Sequence, residues 1–290
     1  MQQYVMDRPA KTVRIVLRRD ISPVGDLPAG DPEELFLAYG WTEEMKKFRP
    51  LRDYTGLFKE FAELKPQTSA VLRFVSDYGF LGCTSLANIE APGRKPSPSQ
   101  VESLAAWSAH RWLLGTTLEL WQHALDENEE GVSKLMSVNN GIVSLVEHHL
   151  AANPTIPHID LLPRSMSSPF GSGSKDAPGK EAMIGAAKWL VNGTVNRALD
   201  RFVRLRLDVQ QEPTHDTESE SISLEPASLL GVVWLQFALY IAEHKNYQRC
   251  SHCNRWYEVQ TKLARRDKTY CGVNCRSRAY RARKQQQEDE

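Results

Sequence analysis

Neither sign of charge is in excess in this chain: 36 Lys plus Arg meet 36 Asp plus Glu in 290 residues. As a whole, this is not a nucleic-acid-binding composition. Long hydrophobic runs are also missing. The longest uncharged stretch of note, Pro226 to Ala242, has 17 residues and includes Ser228 and Gln236. It falls short of the roughly 20 residues that span a bilayer, and reads as a buried core helix. The first twenty residues have no apolar core of the kind a secretory signal needs, so a cytoplasmic protein with no membrane partner is expected. Cysteine is scarce, at five residues, which excludes a disulfide scaffold. No repeat is present, and no paired-carboxylate or Ser/His/Asp pattern marks an enzyme. Gly171 to Lys180 approaches a phosphate loop but has Ser174 where glycine is required and Glu181 where Ser or Thr is required.

Present instead is a hidden asymmetry. Residues 250–284 hold ten basic and two acidic side chains, against 26 and 34 elsewhere, so +8 in one short segment cancels −8 in the rest. A length near two domains fits this division. The expected organisation is a mostly helical body over residues 1–245, with a possible linker at 153–179, and a small C-terminal module over 246–290.

Apolar spacing supports a mainly α body. A strand is expected within Thr12 to Arg18, then turns over Asp20 to Pro32, and helices from Pro32 onward. Leu57, Phe58, Phe61 and Leu64 mark one helix; Ala70, Val71, Phe74 and Val75 mark another, stopped by Gly79. After a proline-rich loop at Ala91 to Pro98, Ser99 and Glu102 form a capping-box pattern opening a helix through Leu120. A second helix over Val132 to His149 would complete a hairpin of helices. Asn153 to Gly179 reads as loop, and helix returns from Lys180 toward Arg206, although Phe202 to Val209 alternates as a strand would. Gln210 to Ser223 reads as an exposed connection, with Ser223, Glu225 and Pro226 opening the last body helix. Trp107, Trp112 and Trp121 are expected to pack, Cys83 to be a small buried hydrophobe, and Glu147, His148, His149 and His158 to be surface groups.

The chemistry is concentrated at the end. Cys250 and Cys253, then Cys271 and Cys275, form two close pairs separated by 17 residues. Four thiolates in this spacing suit one tetrahedral Zn2+, with no coordination position left open for catalysis. A redox pair and four buried free thiols are the other readings of the same residues. Between the pairs, Trp256 to Val259 alternates as a strand, followed by a polar turn at Gln260 to Asp267. From about Val273 a helix is expected, carrying Arg276, Arg278, Arg281, Arg283 and Lys284. Knuckle, hairpin and helix together describe a treble-clef-like finger.

Arg249-Cys250, Cys253, Trp256-Tyr257, Arg265-Arg266, Tyr270-Cys271 and Cys275-Arg-Ser-Arg-Ala-Tyr-Arg281 resemble the bacterial CGNR-type zinc-finger proteins, over about 45 residues. Where the family name spells Gly-Asn-Arg, this chain has Arg276-Ser277-Arg278. The resemblance implies a helical N-terminal region, a C-terminal zinc finger, and a DNA-binding regulator of transcription. On that reading, Arg265, Arg266, Lys268, Arg276, Arg278, Arg281, Arg283 and Lys284 are the candidate DNA contacts, since arginine forks suit phosphate and guanine edges. The body would sense a signal or assemble into a homo-oligomer. RNA or an acidic protein is the alternative partner, and a solvated helix docked on the acidic body is the plainer reading of the same charges.

Overall fold

The computed structural model describes residues 6–8, 13–17, 35–39, 46–48, 50–82, 101–139, 142–146, 166–167, 179–211, 218–259 and 268–288. These residues are mainly α, with short antiparallel strand sets. The centre is α7 (Leu229–Ala242), whose residues Leu229 to Phe237 are all buried. A helix that is apolar on every side must be surrounded, and α2 (Leu57–Ala62) and α6 (Lys180–Phe202) pack on it, with α1 (Pro50–Asp53) at its end. Helix α4 (Leu104–Leu125) packs on α2, α6 and α5 (Glu129–Leu135), while α3 (Thr68–Tyr78) ends at Gly79 with φ +94°. Phe58 stacks on Phe237 at 5.8 Å between ring centres, and Trp107 meets Phe61 and Phe74 edge-on at 5.9 and 5.8 Å. Trp107 and Trp121 are buried and Trp112 packs on the same core, as packing residues should.

Gln236, one of the two polar residues that argued against a membrane helix, has a specific use. Its amide oxygen accepts from Phe58 N at 3.3 Å and its amide nitrogen donates to the Tyr54 carbonyl at 2.8 Å, joining α7 to the start of α2. Among the described residues, no helix is long and apolar enough to cross a membrane.

Several sequence expectations need correction. Leu35 to Tyr39 forms strand β3, between β2 (Val13–Leu17) and β5 (Val101–Ser103), with Ile15 opposite Leu37 and Leu37 opposite Glu102. Its continuous apolar run has no period that separates strand from helix. A further pair joins β1 (Met6–Arg8) to β4 (Lys46–Phe48). Glu102 is not part of a capping box. It lies in β5, and α4 is capped one residue later by Ser103, whose hydroxyl accepts from Ala106 N at 3.3 Å. The helix expected over Val132 to His149 ends at Leu135. It gives way to a hairpin of β6 (Met136–Asn139) and β7 (Ile142–Leu145), with β8 (Met166–Ser167) alongside. The Asn140-Gly141 sequence that follows β6 is a turn signal that outweighs helical spacing.

The alternation after Phe202 is a strand, β9 (Val203–Gln211), and the stretch expected to be an exposed connection supplies its partner, β10 (Glu218–Pro226). Ser223, Glu225 and Pro226 therefore close a strand, and the cap of α7 is Ser228, accepting from Gly231 N at 3.2 Å. Cys83, the Ala91 to Pro98 loop, Ser99, Asp20 to Pro32, Glu147 to His149, His158 and, apart from β8 and Gly179, residues 153–179 lie outside the described residues.

Buried His110 of α4 packs edge-on against Phe202 at 5.9 Å, and its Nδ1 meets no hydrogen-bond partner among the described residues. Burial, with the Arg201 charge second, lowers its pKa to about 3. Unfolding frees a histidine that binds a proton near 6.5, so the unfolded state takes up protons that the folded state refuses, and stability falls with acidity below pH 6.5. Urea titrations should show the wild type losing about 2 kcal/mol more than His110→Phe between pH 7 and pH 5. Parallel losses in the two proteins would refute this assignment.

Candidate metal centre and the basic helix

The C-terminal segment begins as a hairpin, β11 (Asn246–Arg249) paired with β12 (Trp256–Val259), with Arg249 opposite Trp256. Between the strands the chain turns through Cys250 to Arg255. Cys250 N donates to the Arg255 carbonyl and Asn254 N to the Cys250 carbonyl, each at 2.9 Å, while Asn254 takes φ +57°. Asparagine tolerates this left-handed conformation better than most residues. The knuckle is then tied to the second pair, because Ser251 N donates to the Thr269 carbonyl at 3.0 Å. Helix α8 (Val273–Glu288) follows immediately, so Cys275 sits in its first turn.

These local features bring the four sulfurs within 4.8 Å of one another. Cys253 Sγ lies 3.7 Å from Cys271 Sγ, which lies 3.4 Å from Cys275 Sγ. Sulfurs at tetrahedral angles, each about 2.3 Å from a central ion, stand about 3.8 Å apart. A disulfide would need about 2.05 Å, and the four thiols are free. The cluster could hold a metal ion.

The electrostatics fit the same use. Burial raises the Cys250 thiol pKa, but N–H groups of Cys253, Cys271 and His252 outweigh it and bring the value down to about 6. Amides aimed at sulfur favour thiolate, the ligand form. Burial raises Cys253 and Cys271, and the neighbouring sulfurs raise Cys271 further. One anion among four close sulfurs disfavours the next, which is the repulsion that a cation relieves. Cys250 is buried and Cys253 exposed, so the cluster has an inner wall and an open side; His252 faces out from the knuckle. The open side borders a groove lined by Tyr54, Glu60, Arg255 and Arg278.

The helix that leaves this cluster carries the predicted charges. Arg276, Arg278, Arg281, Arg283 and Lys284 are all exposed, and no α8 residue from Val273 to Gln287 is buried. Arg276, Tyr280 and Arg283 share one face by their spacing, with Arg278 and Arg281 beside them. Lys268 is exposed too, its ammonium 5.0 Å from the Tyr257 ring centre. Arg265 and Arg266, with the rest of the Gln260 to Asp267 turn, lie outside the described residues.

Sequence reasoning missed a second set of arginines with a different task. Arg255 Nη2 reaches Asp77 at 3.4 Å and lies over the Tyr54 and Tyr78 rings, while Arg249 pairs with Glu63 and lies over Trp256 at 4.7 Å. Glu60 accepts from Trp256 N at 3.2 Å and from Tyr78 Oη at 2.7 Å, and Trp256 Nε1 donates to Glu63 at 3.0 Å. The approach is close enough that a Cβ on Gly56 would collide with Trp256 Cβ. Three acidic side chains, Glu60 of α2, Glu63 just after it and Asp77 of α3, thus hold the hairpin, while the arginines of α8 are exposed, Arg278 among them at the edge of the groove that Glu60 also lines. The only hint in the sequence was the proximity of Arg249 and Arg255 to the first cysteine pair.

Compared with protein-family models, curated proteins and solved structures, the chain matches none.

Proposed function

We propose that this protein is a zinc-binding, DNA-binding regulator of transcription acting in the cytoplasm. Its C-terminal finger contacts DNA, and its helical body senses a signal or assembles copies. Four thiolates within 4.8 Å of one another favour zinc over harder divalent ions, and a shell filled by four sulfurs makes the metal structural. Hairpin, knuckle and a helix starting at the second cysteine pair correspond to a treble clef. No reaction is assigned to the site.

The observation that carries this reading is the composition and exposure of α8. Four exposed arginines leave the metal cluster on a helix with no acidic residue before Glu288. Such a helix can follow a groove, with Arg forks reading guanine edges or gripping phosphates and Lys268 and Lys284 neutralising the backbone. The body, at −8 outside residues 250–284, repels DNA. Approach is therefore directed to the exposed surface of α8.

Selection of bound fragments from a random duplex pool by the full, metal-loaded chain tests this. Recovery of a defined motif is the expected result, with loss of enrichment when Arg276, Arg278, Arg281 and Arg283 are replaced by Ala. An unenriched pool, with binding transferred to structured RNA or an acidic protein, would move the finger to an RNA-associated or protein-interaction role.

A further inference from the structure

Helix α8 exposes its two large apolar side chains as well as its charges. Val273 and Tyr280 are 78% and 62% exposed, and each is followed three residues later by an arginine, Arg276 and Arg283. Helical spacing sets these four positions on one face, along which apolar group and guanidinium alternate. Among the described residues, the side chains of Arg276, Tyr280 and Arg283 make no ion pair, hydrogen bond or ring contact. A single exposed apolar residue needs no explanation. A row in which two of them alternate with arginines, none of the four being buried, is shaped for a partner.

The major groove of B-form DNA is about 12 Å wide and admits one α-helix. Inside it, paired bases offer only their edges. Guanine O6 and N7 accept two hydrogen bonds from an arginine fork, and the one apolar group on any edge is the C5-methyl of thymine. An aromatic ring between two arginines therefore matches a thymine between two guanines. The spacing agrees. Arg276 and Arg283 are seven residues apart, about 10.5 Å along the helix, and three base-pair steps cover about 10.2 Å. Tyr280 lies between them, about 6 Å along the axis from the first and about 4.5 Å from the second. Arg278 and Arg281, beside this face, are placed for phosphates.

We infer that this face of α8 reads the major groove of duplex DNA, with the Tyr280 ring against the C5-methyl of a thymine that stands between two guanines held by Arg276 and Arg283. The inference rests on the DNA-binding function proposed above and names the base edges it reads. Uracil differs from thymine only in lacking that methyl, so it supplies a probe that leaves the protein untouched. The full, metal-loaded chain selects from two random duplex pools, one made with thymine and one with uracil in its place. The thymine pool should yield a motif with a thymine between two guanines. In the most enriched duplex, uracil at that position should weaken wild-type binding about fourfold, the worth of one buried methyl group. Tyr280→Ala should bind the thymine duplex about fourfold or more weakly than wild type and no longer distinguish the two bases. Tyr280→Phe keeps the ring and should distinguish them as wild type does. Tyr280 is exposed, so both variants should keep the circular dichroism of wild type. A motif without that thymine, a uracil duplex bound as tightly as the thymine duplex, or a Tyr280→Ala protein that still distinguishes the bases would overturn this inference and leave DNA binding standing. No enriched motif in either pool would overturn both.

Discussion

Stripping the metal from the four-cysteine cluster, or replacing Cys271 with Ser, is expected to melt α8 and the knuckle while the helical core stays folded. The reason is the separation of two sources of stability. The core is held by packing around α7, where Leu229 to Phe237 are buried. Helix α8, by contrast, has no buried residue from Val273 to Gln287, and its 16 residues are near the limit at which an isolated helix is marginal in water. What would fix its first turn is Cys275, whose sulfur a metal would bridge to those of the hairpin; without the metal the described ties stop short of the helix, at Ser251 N to the Thr269 carbonyl and Tyr257 Oη to the Lys268 carbonyl. A structural thiolate site contributes on the order of 10 kcal/mol of apparent binding free energy to the segment it orders. Chelation should lower the helical circular dichroism by the share of α8 and abolish amide protection at Cys250 to Asn254. The main thermal transition should remain in place. Purified protein free of metal with α8 still protected would refute this account of the cluster.

The second large effect is expected at Glu102, a residue 2% exposed. Its carboxylate accepts from Leu81 N at 3.0 Å, Gly82 N at 2.5 Å and Trp107 Nε1 at 2.6 Å. Leu81 in turn accepts from Leu230 N at 2.9 Å, so Glu102 fastens the turn after α3 to both α4 and α7. Glu102→Ala strands two buried donors and one half-buried one at about 1–3 kcal/mol each, for a total loss of roughly 4 kcal/mol. Glu102→Gln keeps one acceptor oxygen but turns an amide donor toward another donor, and should cost less than Ala. Urea unfolding of the two variants reads these differences directly. An Ala variant within about 1 kcal/mol of wild type would contradict the network.

The same residue shows where the sequence was legible and where it was not. Three residues after Ser99, Glu102 has the spacing of a capping box, a local pattern. Its use is set by Leu81 and Gly82, which no local pattern brings near. Helices α2, α3, α6 and α7 could be read because their apolar residues recur at helical spacing or fill a whole helix. β9 was half legible, through its alternation, but β10 was hidden by the Glu and Ser residues that made it look like an exposed connection.

At the site, the cysteine cluster was legible because close cysteine pairs make local turns, and the start of α8 because nothing from Val273 onward breaks a helix. The clamp of Glu60, Glu63 and Asp77 on Arg249, Arg255 and Trp256 was not. It joins residues more than 170 positions apart, and each member alone looks like an ordinary surface charge. That clamp changes the meaning of the basic segment. Its arginines divide between holding the finger on the body and facing outward, and only the second group is available to a polyanion.

The central claim, that a metal-ordered α8 grips DNA through its arginines, is tested most directly by the salt dependence of duplex binding. The logarithm of the binding constant should fall with the logarithm of salt by about 0.9 for each phosphate neutralised. For the full chain with its selected site, replacing Arg276, Arg278, Arg281 and Arg283 with Ala should flatten that slope by about 0.9 for each phosphate that those arginines neutralise. Metal removal should flatten it as far. A slope that is the same in the wild type, the four-alanine variant and the stripped protein would contradict the account.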